Sequence, residues 1–454
     1  MAAKRRVPVE PVGDAEFDAA FLLLTQLVDL EQADRRHPVR GNAVYKTSVV
    51  LWMLVFQRMN PDSSLEAAVK KLIEAKPYFL PANKRVSEGT LSSNTSAYSQ
   101  ARCRLPAEAV RWFADEVSRS LIDAAEPIFD GRRVFLFDGT TITLAPEEEL
   151  RREFPPASNQ HGESVWPVAL LTVAHELASG AALVPEVGAM YGPNAVSETA
   201  LMQNTLRRLP ANSVVMADAG FGIFSVAQQT SAAGHSFLLR MTRQRFDALR
   251  KKAELIERGD RFTTWSLRWR PSRWEREKHP ELPDDAVLDV RLHEIVVHEN
   301  LTLPLVTDLP HDPAALAALY DRRYDVELDI RNLKIVLDTE NIRARSVDTF
   351  FKELLASIVS YNLVTQFRRQ AAELVKLPPR RMSFKRTWTT FRTFLLSAMF
   401  TNAADWRDRY RTALSYAQLD KLPNRPGRKY VRETYRRRQK SASFKPRKSK
   451  PPPH

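Results

Sequence analysis

Residues 134–144 read VFLFDGTTITL. Val134 to Phe137 form an unbroken apolar run, the pattern of a short strand buried on both faces, and Asp138-Gly139 ends the run as a turn would. Thr141 to Leu144 then alternates. A second short run, Val214 to Ala217, also stops at a carboxylate, Asp218, with Gly220 close behind. Between the two, Val165–Ala174 and Ala181–Val187 flank Ala178-Ser179-Gly180, which predicts a hairpin, and Ser197–Leu209 has a helical pattern. Phe237–Leu239 reads as a further strand. Strands alternating with helices in this order predict a mixed α/β sheet covered by helices.

Outward from this core, residues 15 to 125 read as helical. Phe17, Phe21, Leu24 and Val28 form an amphipathic stripe, Val49–Phe56 is a compact apolar run, and Asp62-Ser63-Ser64 is placed to cap a helix over Leu65–Leu72. A polar stretch, Ser87–Ser99, interrupts the pattern before Arg102–Leu121 resumes it. Residues 242 to 309 are charged, rich in Trp (Trp265, Trp269, Trp274) and alternating over Phe262–Trp269 and Val287–His298, which predicts a β-rich insertion. Helical patterns return after Pro310, over Tyr320–Leu337, Phe350–Arg369 and Phe384–Phe400. The expected divisions are a helical N-terminal domain over 1–130, either a DNA-binding bundle or a packing partner, a core over 131–241 and 310–400, the insertion over 242–309, and a basic region over 401–454.

The 454 residues carry a formal charge of +14, and 44% hydrophobic content with 8 Trp and 22 Phe is enough for substantial cores. The charge is concentrated. Asn424 to His454 hold twelve Lys or Arg against Glu433 alone, a net of +11, which leaves +3 for everything before. Such a tail suits phosphate binding by counterion release, and equally a solubilising role. One cysteine, Cys103, excludes a disulfide framework and any cysteine zinc cluster, and it fits a reducing cytosol. No uncharged apolar stretch is long enough to span a membrane, and Met1–Glu10 lacks the apolar core of a secretory signal. His161, His175 and His235 have no ligand spacing, and there is no Gly-x4-Gly-Lys-Ser/Thr loop for ATP.

Two aspartates at the ends of two apolar strands stand where an open α/β sheet lines its ligand crevice, although either one alone reads as well as a turn former. A sharper pattern lies downstream. Tyr320, Arg323, Glu327 and Lys334 sit at offsets 0, +3, +7 and +14. On one continuous helix they would point to about 0°, 300°, 340° and 320°, a single sector beside the apolar stripe Leu319, Val326, Ile330, Leu333 and Leu337. Taken alone, that sector is also what a solvated face of partnered charges looks like.

The combination resembles the IS4-type family of DDE transposases. Asp138 lies in FLFDGTT and Asp218 in VVMADAGFG, Leu305-Val306-Thr307 precedes the quartet as that family's last strand does, and the quartet has its Tyr-x2-Arg-x3-Glu-x6-Lys spacing. RARSVDTFFKELLASIVSYNLV (343–364) and SAYSQARCRL (96–105) are similar to flanking segments of the family, so the resemblance runs over about residues 20 to 430. Ala219 stands where the family has Arg, and Tyr324 where Trp is common. The 109 positions from Asp218 to Glu327 leave room for the family's β-stranded insertion.

The resemblance implies an RNase H-like mixed sheet flanked by helices, with Asp138, Asp218 and Glu327 as the catalytic carboxylates holding two Mg2+ ions, for which Mn2+ can substitute. It implies that Tyr320, Arg323 and Lys334 grip DNA phosphates, and that an insertion Trp stacks on an extruded base. It further implies cut-and-paste transposition of an insertion sequence by hydrolysis and strand transfer through a hairpin intermediate. The partners would be double-stranded DNA, both transposon ends and target, and a second copy of the chain in a synaptic homodimer, in the cytoplasm of a bacterium in association with the nucleoid. The alternative is a domesticated, transposase-derived DNA-binding protein without transposition activity. A generic RNase H-like nuclease would keep the metals without needing a dimer.

Overall fold

The structure, a computed structural model, describes residues 30–60, 64–75, 80–160, 162–299, 301–336, 339, 342–398 and 403–423. The stripe Phe17–Val28, Asp62-Ser63, His161, Leu337 and the basic tail lie outside them.

The two apolar runs that end in aspartate become neighbouring strands. β1 (Val134–Thr143) pairs in parallel with β5 (Val214–Ala217), and β5 in parallel with β6 (Ser236–Arg240). On its other side β1 runs antiparallel to the long β3 (Gly162–Glu176), which pairs with β2 (Pro156–Asn159) and β4 (Glu186–Ala189). The order β4–β3–β1–β5–β6, antiparallel and then parallel, is a mixed sheet flanked by helices, as the resemblance implied.

The run Val134–Phe137 lacks alternation because both faces of β1 are covered. Phe135 and Phe137 join one apolar cluster with Val215, Ala217, Phe237 and Leu239, while Val134 and Leu136 join another with Val214, Met216 and Leu238. The first cluster is closed by N-terminal helices, including α1 (Thr47–Met59) and α2 (Ala107–Asp123). α1 is buried almost all round, which explains why its sequence is apolar without a stripe. Ser64 caps the next helix, its hydroxyl accepting from the Ala67 N–H at 3.1 Å. The second cluster is closed by α4 (Pro313–Asp321) and α5 (Asp325–Arg331); α3 (Glu198–Leu206) lies between β4 and β5 in the chain.

A long helix, α6 (Val347–Leu374), starts at a Ser346/Thr349 capping box and contributes to both clusters. Its Asn362 ties α2 to the turn after β3. The Asn362 amide donates to Ser118 Oγ at 3.0 Å and to the Ala182 carbonyl at 2.9 Å, and its oxygen accepts from the Ala182 N–H at 2.8 Å.

The segment expected as a β-rich insertion is β-rich, and it continues the core sheet. β7 (Glu254–Arg258), β8 (Phe262–Trp269), β9 (Leu288–His298) and β10 (Leu301–Thr307) form an antiparallel meander whose last strand pairs with β6. Trp265 and Trp269 are buried in it, whereas Trp274 is 54% exposed.

The single helix expected over Tyr320–Leu337 is not continuous. α4 ends at Asp321, a 3-10 turn spans Arg322–Tyr324, α5 covers Asp325–Arg331, and a π-helical segment follows over Asn332–Val336. Each change of pitch alters the rotation per residue, so a uniform 100° wheel misplaces Lys334 relative to Tyr320. The stripe's burial survives at Leu319, Val326 and Leu333. The chain divides into two units, Met1–Lys421 and Leu422–His454, and every element named above belongs to the first. No described helix is long and apolar enough to cross a membrane.

Candidate active site

Strand pairing sets the site. Phe137 and Ala217 are partners in the parallel β1/β5 ladder, so the next residue on each strand, Asp138 and Asp218, comes out at the same level. Asp138 Oδ1 accepts from the Gly139 N–H at 2.8 Å, and Asp218 Oδ1 from the Gly220 N–H at 2.8 Å. Burial pushes the Asp138 carboxyl up to about 6, and the carboxylates of Asp218 and Glu327 push the same way, against the Gly139 N–H and Arg323.

Glu327 comes from α5, its side chain 41% exposed. Arg323, one turn earlier, connects it to the strands: its guanidinium pairs with Glu327 and lies 3.7 Å from Asp138 Oδ2. Tyr320 is turned into the protein. It is only 6% exposed, and its hydroxyl donates to the Ala217 carbonyl at 3.1 Å, bracing the strand end just before Asp218. Lys334 is half-buried on the π-helical segment. The structure thus gathers Asp138, Asp218, Arg323 and Glu327, and turns Tyr320 inward beside them.

A fourth carboxylate joins the group with almost no signal in the sequence. Glu198, the first residue of α3, lies over Gly139 so closely that a Cβ on that glycine would overlap the Glu198 carboxylate. Its carboxyl is raised by burial and by the charges of Asp138 and Asp218. After Ser197, whose hydroxyl accepts from the Ala200 N–H at 3.2 Å, Glu198 reads as an ordinary acidic first turn. Only the glycine beside Asp138 hints that something must approach there.

Oxygen-only donors of this kind suit a hard divalent cation, and mutual repulsion among them is what such a cation relieves. Among the described residues, no three His, Cys, Asp or Glu side chains converge as a formed metal cage. Arg323 is the group that stands between Asp138 and Glu327.

On the far side of α5 a second charged group is sealed inside the protein. Asp329 is fully buried, and Arg380 holds it through two hydrogen bonds of 2.9 and 2.7 Å. Burial alone would raise the Asp329 carboxyl, but Arg380 holds it below the usual carboxylate range. His175 Nδ1 lies 3.7 Å from Asp329, and burial lowers its pKa.

The family profile for the transposase DDE domain matches residues 130–363, slightly more than half of the chain, and that span includes Asp138, Asp218 and Glu327. No curated protein matches the sequence. Among solved structures, the cryo-EM structure of the piggyBac transposase synaptic complex with hairpin DNA is similar at a TM-score of 0.38 and 11% identity, covering 91% of this chain and 86% of that one.

Proposed function

Because the chain belongs to the transposase DDE-domain family, we propose that it is an IS4-type transposase that cuts its element out and inserts it elsewhere. The observation that carries this reading is the level placement of Asp138 and Asp218 across β1 and β5, with Glu327 tied to Asp138 through Arg323.

In this reading Asp138, Asp218 and Glu327 hold Mg2+, or Mn2+ in its place. When bound, a pair of such ions supplies activation of the attacking oxygen and charge relief at the leaving one. Arg323 is the cation next to the carboxylates and meets the phosphate beside the scissile bond, where its planar fork can bind two oxygens. Lys334 adds a point charge, and Tyr320 keeps the end of β5 in place. Hydrolysis frees a 3′-hydroxyl at each transposon end. That hydroxyl then attacks the opposite strand, giving a hairpin and releasing the flanking strand with its own 3′-hydroxyl; water reopens the hairpin, and the regenerated 3′-hydroxyl attacks a phosphodiester of the target DNA, displacing a target 3′-hydroxyl. Of the three insertion tryptophans, Trp274 is the stacking candidate, because Trp265 and Trp269 are used in the core. Two copies would pair two ends, in a bacterial nucleoid.

The non-enzymatic alternative, a domesticated DNA-binding protein, needs none of the carboxylates, and all of them are present. Short inverted repeats with target duplications around the gene favour transposition; a single fixed locus without them favours domestication. The direct test is cleavage of end DNA in Mg2+ by the wild type, Asp138→Ala and Glu327→Ala. Both substitutions abolish cleavage and leave DNA binding largely intact. Cutting retained by either variant removes that residue from the centre.

A further inference from the structure

Glu327 is carried by a helix that cannot aim it alone. α5 has seven residues, with a 3-10 turn before it and a π-helical segment after it. Neither flank has regular α-helical pitch, so no long rigid rod fixes its rotation. Its other two carboxylates, Asp325 and Asp329, lie two positions either side of Glu327. At about 100° per residue they share one side of the helix, and Glu327 points to the opposite side.

Arg380 is the guanidinium that reaches both acids on the side away from Glu327; Arg322, from the preceding turn, donates to Asp325 Oδ2 alone at 2.8 Å. Arg380, on a 3-10 turn over Pro379–Arg381, places Nε 2.9 Å from Asp325 Oδ2 and donates through Nη1 and Nη2 to the two oxygens of Asp329, at 2.9 and 2.7 Å. Nη1 also lies 3.3 Å from the Asp325 carbonyl. Asp329 is fully buried and Arg380 is 17% exposed, so water screens this clamp little. We propose that Arg380 is the positioning residue for Glu327: gripping Asp325 and Asp329 together, it sets the rotation of α5 and turns Glu327 toward Asp138.

The inference rests on the transposase reading for the role of Glu327, but not for the clamp itself. Arg380→Lys keeps the charge that Asp329 needs and loses the fork that spans both acids. Three measurements on the full chain test it: thermal unfolding, the affinity of the protein alone for Mn2+ by calorimetry, and end-DNA cleavage at saturating DNA alongside DNA affinity. Arg380→Lys is expected to stay folded and bind DNA within about twofold of wild type, while cleavage at saturation and Mn2+ affinity each fall by about tenfold or more. Arg208→Lys, which alters a pair with Glu186 at 2.7 Å away from the carboxylates, is the control and leaves both unchanged.

If Arg380→Lys does not fold, the Asp329→Asn, Arg380→Gln double variant removes both charges at once and carries the same comparison. A folded variant with wild-type Mn2+ affinity and wild-type cleavage overturns the proposal. A wild type that never cuts end DNA overturns the transposase reading alone, because Mn2+ affinity still decides the clamp.

Discussion

The Tyr320 hydroxyl donates to the carbonyl of Ala217, the residue immediately before Asp218, at 3.1 Å. The bond joins α4 to the end of β5 and uses the polar atom that would otherwise be free for a phosphate. Tyr320→Phe therefore lowers stability by about 1 kcal/mol in urea unfolding, one net buried hydrogen bond, and leaves DNA affinity unchanged. A loss of DNA affinity at unchanged stability would instead return the hydroxyl to the phosphate.

The Asp138 carboxyl, raised by burial and by its acidic neighbours from 3.8 to about 6, makes metal-free stability depend on pH. A raised acid stabilises the fold while it is protonated. That contribution is complete below about pH 4 and is lost as pH rises through about 6. Asp138→Asn imitates the protonated form at every pH. Its metal-free melting temperature should exceed that of wild type at pH 8, by an amount corresponding to at most ~3 kcal/mol, and the excess should shrink as pH falls from about 6 to 4. Mn2+ affinity of the wild type should drop over the same window, since the cation competes with the proton. A pH-independent gap would contradict this account of Asp138.

Gly139 and Gly222 separate two kinds of close approach. A Cβ at Gly139 meets the end of a flexible side chain, Glu198, which can swing aside. A Cβ at Gly222 would overlap the Arg240 carbonyl, and backbone cannot yield in the same way. Gly139→Ala should keep the fold and weaken Mn2+ binding by displacing Glu198, while Gly222→Ala should destabilise by about 1–3 kcal/mol, the range for overpacking. Equal melting temperatures for the two variants would show that Arg240 moves freely.

The insertion tryptophans divide by burial. Trp265 sits edge-on to Phe246, with centroids 6.0 Å apart, and Trp265→Ala should cost about 3–5 kcal/mol. Trp274 is 54% exposed with Lys278 4.6 Å from its ring, and Trp274→Ala should stay within about 0.5 kcal/mol of wild-type stability. If Trp274 stacks on an extruded base, its loss reduces hairpin yield on end DNA with little change in first-strand nicking. An unchanged yield would remove it from that role.

Local sequence carried much of this protein. Val134–Phe137 and Val214–Ala217 are apolar without alternation because both faces of their strands are covered, and that composition is visible residue by residue. The Asp-Gly and Asp-Ala-Gly endings, the Arg323–Glu327 spacing and the buried positions Leu319, Val326 and Leu333 were equally legible, since each depends on neighbours a few residues away. Tertiary structure alone decided which residues face one another. It set Phe137 opposite Ala217, brought Glu198 onto Gly139, turned Tyr320 to the Ala217 carbonyl, attached the insertion to β6, and delivered Arg380 to Asp329 from 51 residues away. Periodicity reports which side of an element is buried, and it carries no record of the partner. That choice is made by packing and by the desolvation of charge, which exist only once distant segments have met.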